Sequence, residues 1–113
     1  MPRFAVLTHD HPFPHWDFLL EAGAACRTWR LLAEPGPGRT VPAEAIADHR
    51  PHYLTYEGPV GGGRGTIARW DGGTFERLAA TDDRVEVALS GERLRGQCVI
   101  ARRENGWQAT FAG

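Results

Sequence analysis

Thr8–Glu21 reads THDHPFPHWDFLLE, and this stretch decides the fold. Pro12 and Pro14 hold the chain before each of them extended, so the segment turns without forming a helix. From His15 onward the residues alternate. Trp16, Phe18 and Leu20 make one large apolar face that belongs in a core, while His15, Asp17, Leu19 and Glu21 point the other way. The preceding run Arg3–Thr8 (RFAVLT) is a second extended stretch. The two make a pair of strands joined by a proline-containing turn. His9 ends the first strand and can fold back beside His15 and Asp17.

The same texture continues along the chain: short apolar runs cut by Gly, Pro and Asp, as in an all-β sandwich or barrel. Besides Arg3–Thr8 and His15–Ala22, the expected strands are Arg27–Leu32, Tyr53–Glu57, Thr66–Trp70, Thr74–Leu78, Val85–Leu89, Gln97–Arg102 and Trp107–Phe111. Asp71-Gly72-Gly73, Ser90-Gly91-Glu92 and Glu104-Asn105-Gly106 have the composition of hairpin turns. Pro42–Asp48 (PAEAIAD) has proline where a helix accepts it and is expected to form one short helix. Glu34–Arg39 (EPGPGR) and Gly61–Gly65 (GGGRG) read as loops. The expectation is one all-β, barrel-like domain over residues 1–113, with one short helix and Pro/Gly loops.

At 113 residues the chain can bury a core without staples. No apolar run approaches a membrane span. The N-terminus carries no signal-peptide pattern, so a cytoplasmic protein with no membrane partner is expected. Cys26 and Cys98 lie far apart and form no Cys-x-x-Cys pair, which excludes a zinc knuckle; both read as small buried side chains. The net charge of −1 provides no global basic field for nucleic acid. All 13 cationic side chains, however, are arginines, each a planar fork that can grip a phosphate at two points.

The chemistry concentrates where the histidines do. Two imidazoles and a carboxylate, from His9, His15 and Asp17, would form a three-ligand site with open positions, suited to Mn, Fe, Co, Ni or Zn more than to Mg or Ca. The bland alternative is a hydrogen-bonded polar pair on a strand face. In the second cluster, Asp48-His49-Arg50-Pro51-His52-Tyr53, a histidine could act as acid, base or phosphate donor. Arg64 in the glycine loop could reach a phosphate. An oxygenase-type two-histidine, one-carboxylate site would instead take its third ligand downstream, at His49 or His52.

RFAVLTHDHPFPHWDFLLE resembles the opening of the 3'-phosphoesterase family of bacterial DNA ligase D. The resemblance continues through Arg27-Thr28-Trp29, Asp48-His49, Tyr53–Gly58 (YLTYEG), Gly65–Gly73 (GTIARWDGG), Thr74-Phe75-Glu76 and Leu89–Gly96 (LSGERLRG). It implies a compact β-barrel and metal-dependent phosphoesterase chemistry, typically with manganese, that removes a 3'-ribonucleotide or 3'-phosphate from DNA or RNA ends during end repair. It also implies His9, His15 and Asp17 as metal ligands, and His49 and Tyr53 as catalytic groups at the scissile phosphate. A separate ligase and polymerase machinery is the implied partner, since this chain reads as a stand-alone module. The sequence departs from the family at Leu19, where an arginine is usual, and at Ala33, where a lysine is usual. The glycine loop is also shorter. Arg30 or Arg64 would then have to supply the phosphate contact. The alternative function is a catalytically weakened module that binds nucleic-acid ends or a repair partner.

Overall fold

A computed structural model describes residues 1–113. Nine strands follow in order: β1 Arg3–His9, β2 His15–Ala22, β3 Ala25–Leu31, β4 Thr40–His49, β5 Gly58–Pro59, β6 Thr66–Ala80, β7 Arg84–Gly91, β8 Arg95–Arg103 and β9 Gly106–Phe111. Eight of them close an antiparallel ring, β1-β2-β3-β4-β9-β8-β7-β6, because β6 also pairs with β1. The two-residue β5 attaches to the start of β6. Closure leaves no long strand edge open to another chain.

The alternation read from His15–Glu21 holds, and it selects the inside of the barrel. Phe18 and Leu20 join Phe4, Val6, Trp29, Phe75, Ile100 and Phe111 in the interior core, with Trp16 packed against it. Aromatic edges fill that space: Phe18 lies 6.1 Å from Phe4 and 5.9 Å from Phe111, and Trp29 lies 5.8 Å from Trp107. The opposite face of β1 and β2 is not left to solvent. Ala5, Leu7, Leu19, Cys26, Leu54 and Ile67 form a second, smaller apolar cluster on the outside of the wall. Strands buried on both faces are apolar in near-continuous runs, which accounts for Phe4–Leu7 and Phe18–Leu20.

Three local expectations are corrected. Pro42–Asp48 is strand, not helix. The ring has a gap between β3 and β9, and β4 fills it by pairing its first half with β9 and its second half with β3. The hydrogen-bonding demand of two open edges outweighs the local helix propensity of an Ala-Glu-rich segment. Tyr53–Glu57 is not a strand: Pro51–Leu54 forms a 3₁₀ turn. Pro51 sets its first φ, and Leu54 anchors it in the outer cluster. Asp71-Gly72-Gly73 is not a hairpin but the bend of one continuous strand, β6. Here β6 leaves β1 and crosses to β7, with the register slipping by one residue beside Val6 and Leu7. A Cβ at Gly73 would collide with the Ser90 carbonyl, and one at Gly72 with the Arg69 guanidinium, so the glycines permit close approach rather than reversal. Asp71 is buried, and its carboxylate accepts the Glu92 N–H at 2.9 Å and the Leu94 N–H at 2.8 Å. It thereby fixes the β7–β8 turn, which falls after Gly91. The turn at Glu104-Asn105 is where composition placed it. Cys26 and Cys98 are buried free thiols. No helix is long and apolar enough to cross a membrane.

Candidate metal centre

The outer face of β1 and β2 carries the histidines. Antiparallel register places His9 directly opposite His15, and Leu7 opposite Asp17. Asp17 Oδ1 lies 3.1 Å from His15 Nε2, and Asp17 Oδ2 lies 3.4 Å from His9 Nδ1. The three donor atoms fall within 4.8 Å of one another. His15 and Asp17 are each only 2% exposed.

The hydrogen bonds define which nitrogen faces the carboxylate. His15 Nδ1 is 2.7 Å from the Phe13 carbonyl, and His9 Nε2 is 2.8 Å from the Arg64 carbonyl. A carbonyl only accepts, so each of these nitrogens carries the proton and donates. The other nitrogen of each ring then presents a lone pair to Asp17. His15 Nε2 and Asp17 Oδ1 are buried without a hydrogen-bond partner. Acceptors converging on acceptors in a buried place are unfavourable unless positive charge lies between them. One divalent cation satisfies all three groups, and backbone carbonyls on the far nitrogens are the usual way of aiming metal-bound imidazoles. The residues present therefore fit a metal ion.

The loops that support this face are pinned. Asp10 Oδ1 accepts the Thr66 N–H at 2.8 Å, and this bond holds the Asp10 carboxyl below its ordinary pKa. Gly65 is at φ +81°, and a Cβ there would collide with Asp10, so the end of the glycine loop must be glycine. The β1–β2 turn and the glycine loop are thus locked together over the site.

A cleft of about 360 Å³ opens beside the centre, with His9, Asp17, Arg30, His49, Tyr53 and Arg64 in its lining. His49, at the end of β4, places Nε2 4.0 Å from Asp17 Oδ2, and its Nδ1 lies 3.1 Å from the Ala47 carbonyl. The Tyr53 ring is 5.7 Å from that of His49, edge to face. Arg30 on β3 stands directly opposite Asp17 in the register, and its buried Nε has no partner. Arg64 lines the cleft and also donates from Nε to the Gly61 carbonyl at 2.7 Å. All seven residues singled out from sequence therefore meet at one place. His52 does not: its ring packs on Tyr53 and Tyr56 and is absent from the cleft wall. Of the histidines, His9 is the one that stands with His15 and Asp17 within 4.8 Å.

Leu19 and Ala33, the two departures, are also placed. Leu19 is fully buried in the outer cluster, and Ala33 packs against the interior core. Sequence reading missed Arg50, which lines the cleft and sits 5.6 Å over the Tyr53 ring. Its signal was its position between His49 and Pro51, inside the second histidine cluster.

A closed antiparallel barrel carries, on its outer wall, a His/His/Asp group that could hold a metal and, beside it, a cleft lined by arginines, side chains that suit phosphate. Comparison with known proteins makes this specific. The DNA ligase D 3'-phosphoesterase domain family matches residues 7–102, and the chain belongs to that family. Among curated proteins, the multifunctional non-homologous end joining DNA repair protein LigD of Mycobacterium tuberculosis is 31% identical over 108 residues, covering 88% of this chain and 14% of the relative. The LigD of Mycobacterium bovis matches with the same identity and coverage. The LigD of Pseudomonas aeruginosa is 29% identical over 110 residues, covering 88% of this chain and 13% of the relative. This chain thus corresponds to about one seventh of the length of the curated relatives it matches.

Proposed function

We propose that residues 1–113 act as one catalytic domain, a metal-dependent phosphoesterase that processes nucleic-acid 3' ends in DNA end repair. The reading is carried by the convergence of His9, His15 and Asp17 in a buried acceptor cluster beside an arginine-lined cleft. In this reading the three residues are the metal ligands. The N, N, O donor set suits manganese, and also zinc, cobalt or nickel. A bound divalent ion would supply charge neutralisation at the phosphate and an activated water.

The remaining roles belong to the chain itself. Arg30 lines the cleft and takes the phosphate as a fork. It does so from β3, in place of an arginine on β2 at position 19. Arg64 and Arg50 close the other sides of the cleft. His49 presents Nε2 toward the centre, with the Ala47 carbonyl behind it. In its imidazolium form, with Nδ1–H on that carbonyl, Nε2 would donate a proton to the leaving oxygen or a hydrogen bond to the phosphate. Tyr53 O–H is the second donor. The substrate would be a DNA or RNA 3' end carrying a ribonucleotide or a phosphate, and a ligase and a polymerase would use the product. Two buried free thiols fit a reducing compartment, and so a cytoplasmic site of action.

The test is turnover of a labelled primer–template ending in a 3'-ribonucleotide, and of a twin ending in a 3'-phosphate. Both are run after metal stripping, with manganese, magnesium, zinc or no metal added. Metal-dependent shortening or phosphate loss, absent in Asp17→Ala, is the expected result. One observation favours a second reading, a module that binds ends without cleaving them: Leu19 is sealed in the outer cluster, so the usual arginine fork of β2 has no counterpart there. End binding without turnover at any metal would select that reading.

A further inference from the structure

Phe13 has no part in the roles assigned so far, and its placement is unusual. The residue is 43% exposed and belongs to neither apolar cluster. It nevertheless stands at the lip of the centre, 5.5 Å from the His15 ring, with the Arg30 guanidinium carbon 5.4 Å from its own centroid. Pro12 and Pro14 flank it, and its carbonyl accepts the His15 N–H at 2.7 Å, so the backbone beneath the ring is fixed. An exposed aromatic held rigid loses little entropy when something stacks on it.

We propose that Phe13 is the platform on which the nucleobase at the 3' end stacks, so that the protein recognises a nucleoside at that end rather than a bare phosphoester. This rests on the nucleic-acid-end reading above and adds a subsite to it. Arg30 links the two parts. The residue lines the cleft where the phosphate is to be held, and its guanidinium carbon lies over the Phe13 ring. A nucleotide whose phosphate engages Arg30 has its base within reach of the ring beside it. Aromatic stacking tolerates any base, because every base has a π face. The subsite therefore discriminates base from no base, and discriminates little among the four bases.

Binding can be measured apart from catalysis. A short labelled strand ending in an adenosine 3'-phosphate is compared by fluorescence anisotropy, in EDTA, with a twin whose last residue is abasic. The intact protein is expected to bind the base-bearing end about 5- to 150-fold more tightly. Phe13→Ala should erase that difference, and Phe13→Trp should keep it. A 3'-terminal 2-aminopurine should change its fluorescence on binding the intact protein, but not on binding Phe13→Ala. Because the Phe13 carbonyl survives in the alanine variant, manganese binding serves as the control for an intact centre. Equal affinity for the two ends, or equal loss at both in Phe13→Ala, overturns the proposal. Turnover separates this from the function itself. Metal-dependent cleavage indifferent to the base and to Phe13 would remove the platform and leave the phosphoesterase. Base-dependent binding through Phe13 with no cleavage at any metal would do the reverse.

Discussion

Replacing Asp17 by asparagine changes the charge of the centre while keeping its shape, and the structure gives opposite signs for the effect with and without metal. In the stripped protein the carboxylate faces two ring nitrogens whose other nitrogens already donate to carbonyls, and Asp17 Oδ1 and His15 Nε2 are buried without a partner. An asparagine amide can turn its NH₂ toward His15 Nε2 or His9 Nδ1 and make the hydrogen bond that the carboxylate cannot. One new buried hydrogen bond is worth about 1 kcal/mol, and release of an uncompensated buried charge adds to it. The metal-free variant should therefore melt about 5 °C above the metal-free parent. Manganese should reverse the order. At a free concentration about one hundred times Kd, the ion stabilises the parent by about 2.7 kcal/mol, or roughly 10 °C for a chain of this size. The variant, lacking its anionic ligand, should gain almost nothing. Scanning calorimetry of both proteins, with EDTA and with a manganese titration, reads all four numbers. A metal-free variant several kcal/mol less stable than the parent would mean that Asp17 is an acceptor in a structural network. A manganese shift of the same size in both proteins would place the ion elsewhere.

Arg30→Ala should lower kcat by about 10²- to 10³-fold if this fork holds the phosphate, with Arg30→Lys recovering only part because one ammonium cannot grip two oxygens; steady-state kinetics on a 3'-phosphate end reads the split. Asp71→Ala removes a buried carboxylate that holds two backbone N–H groups, and should cost about 3 kcal/mol in urea unfolding, with the m-value unchanged. The Arg3 guanidinium, hydrogen-bonded to Glu21 at 2.9 Å, holds that carboxyl below its ordinary value of 4.5. A depressed folded pKa means the pair stabilises the fold above pH 4.5, and the contribution fades as pH falls through the lower folded value. Glu21→Gln should therefore lower stability at neutral pH by less than about 1 kcal/mol, the scale of an exposed pair, and should converge with the parent in acid. Equal differences at pH 7 and pH 3 would refute that assignment.

Much of this protein is legible in its amino-acid order. The alternation after His15 assigns Trp16, Phe18 and Leu20 to a core and groups His15 with Asp17, because strand geometry leaves no other choice. The proline-containing turn brings His9 to the same end, and family resemblance names His49 and Tyr53. Composition misleads wherever a segment's state depends on its neighbours. Pro42–Asp48 has the residues of a helix, yet two unpaired strand edges, β3 and β9, make it β4. Asp71-Gly72-Gly73 has the residues of a turn, yet its glycines serve a strand crossing beneath the Ser90 carbonyl.

The position of Arg30 and the burial of Leu19 are set in the same way. Period-two patterning says which residues share a face of one strand. It does not say which residue of another strand lies across from them. Only the β2–β3 register sets Arg30 opposite Asp17, and only the assembly of the outer cluster buries Leu19. The sequence by itself determined the β1–β2 strand pair, its inner face and the side-chain chemistry of His9, His15 and Asp17, since these follow from local alternation and side-chain type. The tertiary structure alone decided barrel closure, the neighbours of the carboxylate and the cleft beside it, because each depends on pairings between residues far apart in the chain.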